Sequence, residues 1–156
     1  MAKSRQNLTR KKIVLATGAF DLLHYGHLKA LEDAKKSGGR NSKLIVIVAR
    51  DNTVEKRKGK KPTIPEEQRR ALVESLKPVD RAVLGYEQMN MKAAIRKLKP
   101  DIIAVGYDQD DILEAVNDAL KDYTGKVKVV QTKRYGMMDL NSSSKIKTKI
   151  IEELKL

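Results

Sequence analysis

Short, wholly apolar segments recur along the chain, and a segment of helical pattern separates each from the next. The clearest is residues 44–49, Leu-Ile-Val-Ile-Val-Ala, which is apolar at every position. A strand that is apolar on both faces is typical of a parallel sheet covered by helices on both sides. The alternation therefore predicts a doubly wound, Rossmann-like α/β domain with a mostly parallel five-stranded sheet.

The predicted elements continue to the end of the chain. Strands are predicted at residues 13–17, 44–49, 81–84, 101–105 and 127–131. Helical spacing joins three apolar sets, which are Leu28, Leu31 and Ala34; Met91, Ala94, Ile95 and Leu98; and Ile112, Leu113, Val116, Leu120 and Tyr123. Ligands in such folds bind at the carboxyl ends of the strands, so functional residues are expected just after them.

Capping chemistry predicts further helix boundaries. Thr63 and Glu66 have the spacing of a capping box that starts a helix. Gly125 is expected to end the helix that carries Tyr123. The serines at 142–144 are expected to cap a final helix, which would turn three apolar residues toward the core, namely Ile146, Ile150 and Leu154.

The chain of 156 residues carries a formal net charge of +13 and has no cysteine. Its length fits one domain, which we place at residues 13–156 after a basic, flexible tail at residues 1–12. The lack of cysteine excludes disulfides and thiolate metal sites, and it fits a cytoplasmic location. No apolar segment approaches the roughly 18 residues of a membrane span, so no membrane partner is expected.

A basic RNA-binding module is the alternative outside the enzymes. Such a module would use the run at residues 56–61, Lys-Arg-Lys-Gly-Lys-Lys. The chain has one Phe and no Trp, and therefore offers few surfaces on which bases can stack. Nucleic acid is not the favoured partner, because this interpretation leaves the following motif unexplained.

Two histidines follow the first predicted strand and open the helix after it. His24 and His27 are three residues apart, so both can face the same way at the helix N-terminus. That end presents free N–H groups and the positive end of the helix dipole, which attract phosphate. Gly26 would let a phosphate approach the backbone, and Gly18 would allow a tight exit from the strand. The segment predicts a triphosphate cradle in which both imidazoles act as catalytic donors.

A resident metal is not predicted at the two histidines. Only Asp21 lies nearby in the sequence as a third ligand, and a protein metal site needs more. A divalent cation, Mg²⁺ or similar, is instead expected to arrive with the triphosphate.

Residues 18–21, Gly-Ala-Phe-Asp, and 24–27, His-Tyr-Gly-His, resemble the signature of the cytidylyltransferase-like nucleotidyltransferase superfamily. That superfamily usually has Thr at the position of Ala19. The segments at 45–54, 60–70 and 76–80 further resemble the archaeal FAD synthases, which are FMN adenylyltransferases.

The resemblance implies roles for particular residues. The backbone of Ala19 and Phe20 would contact the nucleotide, residues 24–27 would hold its phosphates, and Asp108 would contact the nucleoside. The nucleotide-binding residues implied in this way are Ala19, Phe20, His24, Tyr25, Gly26, His27, Asp108, Tyr135, Ser142, Ser143 and Ser144. Relatives often carry an Arg shortly before the serine turn, and Arg134 is the candidate to replace it.

Four residues are candidates for binding the acceptor or its phosphate: Asp21, Asp51, Lys56 and Arg69. Asp51 fits a helix N-cap equally well. Lys56 begins the basic run, which is either a mobile phosphate clamp that flexes at Gly59 or a solvated loop. Of Arg69 and Arg70, one is expected to pair with the acidic first turn of its helix and the other to reach phosphate.

The resemblance implies that ATP and FMN are the substrates and that FAD and pyrophosphate are the products. The alternatives are a cytidylyltransferase acting on glycerol 3-phosphate or a phosphoaminoalcohol, and a sugar-phosphate adenylyltransferase. A flavin ring would need an apolar slot, for which Met137 and Met138 are candidates. A homodimer is expected from the resemblance alone.

Overall fold

The computed structural model describes residues 9–134 and 140–155, in which strands and helices alternate. The strands are β1 (Lys12–Gly18), β2 (Ser42–Val48), β3 (Arg81–Leu84), β4 (Ile102–Val105) and β5 (Lys128–Gln131). The helices are α1 (Tyr25–Ser37), α2 (Asp51–Lys58), α3 (Glu66–Glu74), α4 (Met91–Leu98), α5 (Asp110–Leu120) and α6 (Ser143–Glu153).

The five strands form one sheet in the order β3-β2-β1-β4-β5. Every pair is parallel, which confirms the predicted doubly wound α/β fold. The chain fills one half of the sheet outward from β1 and then returns to build the other half from β4. The strand order reverses between β1 and β4, and the carboxyl ends of strands at such a switch point are where ligands bind in this kind of fold.

Alternate residues of the strands enter two separate cores, one on each face of the sheet. On what we call the α1 face, Val14 and Val46 pack with Leu31 of α1 and Val73 of α3. On the α4 face, the strand residues pack against α4 and α5, and the members of that core include Leu15, Ile45, Ile103, Ile95, Ile112 and Val116. Helices on both faces explain why the strands are apolar at successive positions.

A helix after β2 was considered only as one interpretation of Asp51, and the basic run was expected to be a loop. Only Val54 of the eight residues of α2 is buried, so the sequence lacks the apolar stripe by which a surface helix is recognised. The helix ends at Gly59, whose φ of 76° is the left-handed conformation that glycine adopts without a Cβ clash. The first half of the basic run at 56–61 is therefore helical, and Gly59 is a helix cap rather than the flexible point of a loop.

The predicted capping box at Thr63 is wrong. The N-cap of α3 is Pro65, and no side chain caps the helix. Glu66 instead turns its carboxylate to α2, where it accepts from Arg50 at 3.0 Å and from the amide of Asp51 at 2.7 Å. The Glu66 carboxylate, which the sequence spacing assigned to a helix cap, therefore links α3 to the start of α2.

The prediction that α6 turns its apolar residues toward the core is also wrong. Ile150 is 47% exposed and Leu154 is 61% exposed, and the helix has no buried residue. Ser142 does cap α6, because its hydroxyl accepts from the amide of Lys145 at 3.2 Å. Helix α6 is therefore fastened near its N-terminal end, where Ser142 caps it and Lys147 lies 3.7 Å from Asp21.

The end of α5 and the N-terminal tail differ from the boundaries that the sequence predicts. Helix α5 ends at Leu120 rather than near Gly125, although Tyr123 still packs against the α4-face core. At the other end, Arg10 donates to Asp101 at 2.6 Å, so the last part of the predicted tail contacts the domain. No helix among the described residues is long and apolar enough to cross a membrane.

Candidate active site

The two histidines cap the first helix reciprocally. His24 is the N-cap of α1, and its Nδ1 accepts from the amide of His27 at 3.4 Å. The Nδ1 of His27 accepts in turn from the amide of His24 at 3.4 Å. Both hydrogen bonds are long. The two rings also stack, with centroids 3.7 Å apart and planes that differ by 25°. The two rings are held as one unit.

Both imidazoles are neutral at pH 7. Burial lowers the pKa of His24 below its ordinary value of 6.5. Burial, the neighbouring His24 and the charge of Lys58 lower the pKa of His27 to about 3, against a smaller opposing effect of Asp21. A ring nitrogen that accepts a hydrogen bond cannot carry the proton, so each neutral ring has its N–H at Nε2. The pair therefore offers two Nε2–H donors without a formal positive charge.

Two glycines of this loop make room for neighbouring groups. A Cβ at Gly18 would come within 2.9 Å of the Phe20 ring, so Gly18 makes room for that ring rather than for a tight exit from the strand. A Cβ at Gly26 would lie 2.9 Å from the carbonyl oxygen of Asn141. The space at Gly26 therefore admits the segment that precedes α6, and phosphate binding at its backbone stays a prediction.

Phe20 supports the pair from below. It is buried, and its ring centroid lies 5.3 Å from that of His27. Its φ of 54° lies in the left-handed region, which costs a non-glycine residue of order 1 kcal/mol or more. Such a conformation persists where surrounding contacts fix it, and Asp21 and Arg69 supply contacts on either side of Phe20.

Asp21 anchors the loop between β1 and α1. Its carboxylate accepts from the amides of Thr63 and Ile64 at 2.8 and 2.9 Å, and Lys147 of α6 lies 3.7 Å away. Burial raises the pKa of Asp21, but these amides and Lys147 outweigh it, so the pKa is lowered overall. Both carboxylate oxygens are thus in use within the protein, which leaves Asp21 placed as an anchor rather than as an acceptor ligand.

Arg69 is fully buried beneath the same loop. Its guanidinium donates to the carbonyl of Ala19 at 2.5 Å, to that of Ile64 at 2.8 Å and to the carboxylate of Asp51 at 2.6 Å. Arg70 pairs with Glu67 of the first turn of α3 and also with Glu74. Neither arginine is placed to reach a phosphate, because Arg69 is enclosed and Arg70 is held on the helix surface.

Asp51 and Lys56 lie at opposite ends of α2. The N-cap of α2 is Arg50, so Asp51 is the first helical residue, and its carboxylate is taken by Arg69. Lys56 is exposed in the last turn. Asp51 is therefore engaged within the protein, and the binding role of Lys56 stays a prediction.

The serine turn meets the histidine loop directly. Ser143 donates its hydroxyl to the carbonyl oxygen of Asp21, while Ser142 caps α6. Ser144 is exposed in the first turn of α6. The N-terminus of α6 is therefore fastened beside that of α1, and two helix N-termini converge where phosphate was expected.

Asp108 is exposed in the turn between β4 and α5. The next residue, Gln109, ties this turn to β1: its side chain accepts from the amide of Gly106 at 2.8 Å and donates to the carbonyl of Thr17 at 3.1 Å. The turn of Asp108 is thus placed beside the end of β1, across from the histidines.

The remaining candidates lie at the rim. Tyr25 is 43% exposed, with the amine of Lys29 5.1 Å from its ring centroid. Arg134 is exposed, and its guanidinium lies 5.9 Å from the ring centroid of Tyr107, beside Asp108. Tyr135, Met137 and Met138 lie outside the described residues.

A cavity of about 360 Å³ opens on the α4 face of the sheet. Its apolar and aromatic lining comes from β2, β3, α4, α5 and the loops after β2 and β3, and comprises Ile47, Ala49, Val83, Leu84, Gly85, Tyr86, Met89, Met91, Ala94, Leu98 and Ile112. Its polar lining comprises Thr17, Arg50, Thr53, Arg57, Arg81, Glu87, Asn90 and Lys97. The cavity interrupts the α4-face core next to the carboxyl ends of β1 and β2.

The last turn of α2 lies between this cavity and the histidines. Arg57 lines the cavity and pairs with Asp111 of α5 at 2.6 Å. The adjacent Lys58 is close enough to His27 for its charge to lower the pKa of that ring. One helical turn thus presents one cation to each region.

The sequence did not single out Arg50, Arg57, Lys58, Gln109 or Lys147. Arg50 carried a usable signal, because it directly follows a strand end. Arg57 and Lys58 were included in the basic run, but their roles separate only once α2 is known to be a helix. Gln109 and Lys147 carry no local pattern that marks them.

In the part of the chain that the structure describes, no three His, Cys, Asp or Glu side chains are grouped to hold a metal ion.

Comparison with known proteins agrees with this geometry. A family model described as Cytidylyltransferase-like matches residues 15–154. The FAD synthase of Aciduliprofundum boonei is 47% identical over 141 residues, covering 90% of this chain and 91% of that protein. The FAD synthase of Methanothermus fervidus is 50% identical over 136 residues, covering 87% of this chain and 92% of that protein. The resemblance inferred from the sequence is confirmed.

Solved structures agree on the fold. The lipopolysaccharide core biosynthesis protein from Thermoplasma volcanium is similar with a TM-score of 0.68 and 41% identity, covering 80% of this chain and 98% of that chain. Pantothenate synthetase from Thermus thermophilus has a TM-score of 0.54 and 18% identity, covering 81% of this chain and 57% of that chain. At the second identity the likeness concerns the fold alone.

Proposed function

The chain belongs to the cytidylyltransferase-like family, and from its likeness to archaeal relatives we infer that it is an FAD synthase. The enzyme transfers AMP from ATP to the phosphate of FMN, and FAD and pyrophosphate are the products. The observation that carries this conclusion is identity of 42–50% over about nine-tenths of the chain to several FAD synthases. The non-enzymatic alternative, an RNA-binding module, accounts neither for this likeness nor for the histidine pair.

The reaction needs little chemical activation of the acceptor. A phosphomonoester has a second pKa of about 6, so the phosphate of FMN is already largely ionised at pH 7. One of its oxygens attacks the α-phosphorus of ATP, the bond from that phosphorus to the bridging oxygen breaks, and pyrophosphate leaves with its electron pair. The protein therefore contributes position and charge stabilisation rather than a general base.

We propose that His24 and His27 supply this stabilisation through their Nε2–H groups. Reciprocal capping fixes the tautomer of each ring, and the lowered pKa values keep both rings neutral. A donor that is fixed before the reaction loses no reorganisation energy as negative charge shifts toward the leaving group. The N-terminus of α1 and the charge of Lys58 add positive potential at the same place.

Backbone contacts of Ala19 and Phe20, together with the turns at Asp108 and at residues 142–144, remain our proposal for holding the rest of the nucleotide. The structure supports it through the contacts of Gln109 with Thr17 and of Ser143 with Asp21, which bring both turns to the end of β1. We assign the divalent cation to the substrate, as Mg²⁺ bound to ATP, where it neutralises the pyrophosphate. The homodimer and the cytoplasmic location stay predictions.

The test is to incubate purified protein with FMN and each nucleoside triphosphate in turn, and to separate the flavins by chromatography. FMN with ATP and Mg²⁺ is expected to give FAD and pyrophosphate, and chelation of the cation is expected to stop the reaction. CTP with glycerol 3-phosphate is the matched control and is expected to give little product. Failure to form any flavin dinucleotide, with rapid consumption of CTP by a polyol phosphate, would replace the acceptor and keep the family.

A further inference from the structure

The cavity on the α4 face is an open cleft beside the edge strand of the sheet. Val83 of the edge strand β3 and Ile47 of the neighbouring β2 line it, and both are only partly buried. Small-molecule sites are concave and mostly apolar, with a few polar groups that orient the ligand. A cleft of about 360 Å³ with aliphatic walls and charged side chains around it has this form.

The lining specifies the chemistry of that ligand. The apolar side chains are aliphatic and thioether, with Met89 and Met91 from the loop after β3 and the start of α4, and the ring of Tyr86 also lines the cavity. Its size lies within the roughly 300–1,000 Å³ of ordinary small-molecule sites, which are apolar with a few polar groups. A planar, weakly polar ring system fits such a space. Glycerol 3-phosphate or a phosphoaminoalcohol has no apolar part that would use it.

The mouth of the cavity carries two arginines, each of which pairs with an exposed carboxylate. Arg50 pairs with Glu87 at 3.2 Å, and the Glu87 side chain is 71% exposed. Arg50 is also held by the less exposed Glu66 at 3.0 Å. Arg57 pairs with Asp111 at 2.6 Å, and the Asp111 side chain is 56% exposed. Ion pairs between exposed groups contribute little to stability, so an incoming phosphate can take the place of either carboxylate.

The cavity and the histidine pair open to the same edge of the sheet. Thr17 lines the cavity, and the loop that carries Phe20 and His24 follows it directly in the chain. In α2, Arg57 faces the cavity while Lys58 acts on His27. A molecule with its ring in the cavity can therefore extend a phosphate past α2 toward the cradle.

We propose that this cavity binds the isoalloxazine ring of the acceptor and that Arg57 at its mouth binds the acceptor's phosphate group. In the absence of the flavin, the carboxylate of Asp111 holds the Arg57 guanidinium in place. This proposal rests on the assignment of FMN as the acceptor. It moves the flavin slot from Met137 and Met138 to Met89, Met91 and the sheet beneath them.

The first experiment tests the ring. Met89 is 50% exposed at the mouth, so Met89→Glu changes the slot without entering the core. Leu72→Glu is its matched control, because Leu72 is 47% exposed on α3, on the other face of the sheet. Losing a good apolar contact in a pocket costs about tenfold or more in specificity. We expect Met89→Glu to raise the KM for FMN about tenfold with an unchanged KM for ATP, and Leu72→Glu to change neither.

Riboflavin is the probe for the ring without its phosphate. We expect it to inhibit the wild-type enzyme competitively against FMN and not against ATP, and to lose this inhibition in Met89→Glu. A second variant, Val83→Trp, fills the cavity from the sheet and is used if its melting temperature shows that it folds. Normal KM values for FMN in both folded variants would overturn the proposal.

The second experiment tests the phosphate. Arg57→Gln and Asp111→Asn break the same ion pair, so a merely structural pair predicts the same small effect for both. The proposal predicts opposite effects: a KM for FMN raised about tenfold in Arg57→Gln, and an unchanged or lowered KM in Asp111→Asn. Equal effects would overturn the role of Arg57. If the wild-type enzyme forms no FAD at all, the assignment of the acceptor fails instead, and the two failures are therefore distinguishable.

Discussion

The two faces of the sheet meet the same edge but build their binding regions in different ways. On the α1 face, the histidine loop is held by hydrogen bonds to its own backbone, and Asp21 and Arg69 anchor it at fixed distances. On the α4 face, the cavity is shaped by side chains from three strands and three helices, and its two arginines pair with exposed carboxylates. The first arrangement fixes a few donors in place, and the second leaves a volume that a ligand can enter.

The difference follows from the chemistry that each region must perform. Transferring a phosphorus centre requires donors that do not move, because their value lies in being oriented before charge develops. Binding an aromatic ring requires apolar area and shape, and tolerates looser polar contacts. We therefore expect damage to the α1 face to appear in stability and kcat, and damage to the α4 face to appear in the KM for FMN.

The largest effect is expected from Arg69, which holds the α1-face loop from below. In Arg69→Met the carbonyls of Ala19 and Ile64 lose a buried donor and Asp51 loses its partner. Removing one member of a buried pair costs about 3–5 kcal/mol of unfolding free energy. Urea denaturation measures this loss, with Arg70→Met as the exposed control on the same helix. A loss of unfolding free energy under about 1 kcal/mol would contradict the prediction, because the histidine loop would then not depend on Arg69.

The next effect is expected from the histidines. His24→Ala or His27→Ala removes one Nε2–H donor and should lower kcat by roughly 10²–10³, with the KM for FMN unchanged. His24→Asn separates catalysis from folding, because Asn is a good N-cap but offers no Nε2–H. Steady-state kinetics with FMN and ATP measure kcat and the KM for FMN in each variant. Near-normal kcat in the Asn variant would mean that the ring at position 24 only caps the helix.

The smallest effect concerns the dependence of stability on pH. The pKa values of His24 and His27 are lowered in the folded state, so the unfolded chain binds protons first as the pH falls below 6.5. Stability should therefore be full above pH 6.5 and fall below it, by up to about 1.4 kcal/mol per pH unit for each histidine. Urea titrations between pH 7 and about 4.5 measure the slope, above the range where most carboxylates titrate. His27→Gln should flatten the slope, and an unchanged slope would show that burial of His27 does not set it.

The sequence predicted the α1-face region far better than the α4-face cavity. The histidine pair, the strand before it and the N-cap at Ser142 depend on residues within a few positions of one another, which makes them visible as local patterns. The cavity depends on Ile47, Val83, Met91 and Ile112, which come from separate elements and look like ordinary core residues. No local pattern distinguishes a side chain that faces a void from one that faces a neighbour.

Charged residues account for most of the other differences. Arg69 is an ordinary polar helical residue in the sequence, and its burial follows from three acceptors on different segments. Glu66 was assigned to a cap, but it bonds across to α2. The apolar residues of α6 were expected in the core because periodicity identifies an apolar face but does not say what covers it. Ile150 and Leu154 show the result, since both remain exposed.

The reciprocal bonds between His24 and His27 also bear on how such a site can change in evolution. Each ring is oriented by the backbone of the residue that carries the other, so a substitution at one position releases its neighbour as well. The first substitution should therefore carry most of the loss, and the second should add little, which is strong epistasis between two positions. No single substitution in this pair is therefore expected to lower activity only slightly. A lineage that abandons one histidine has little left to preserve at the other.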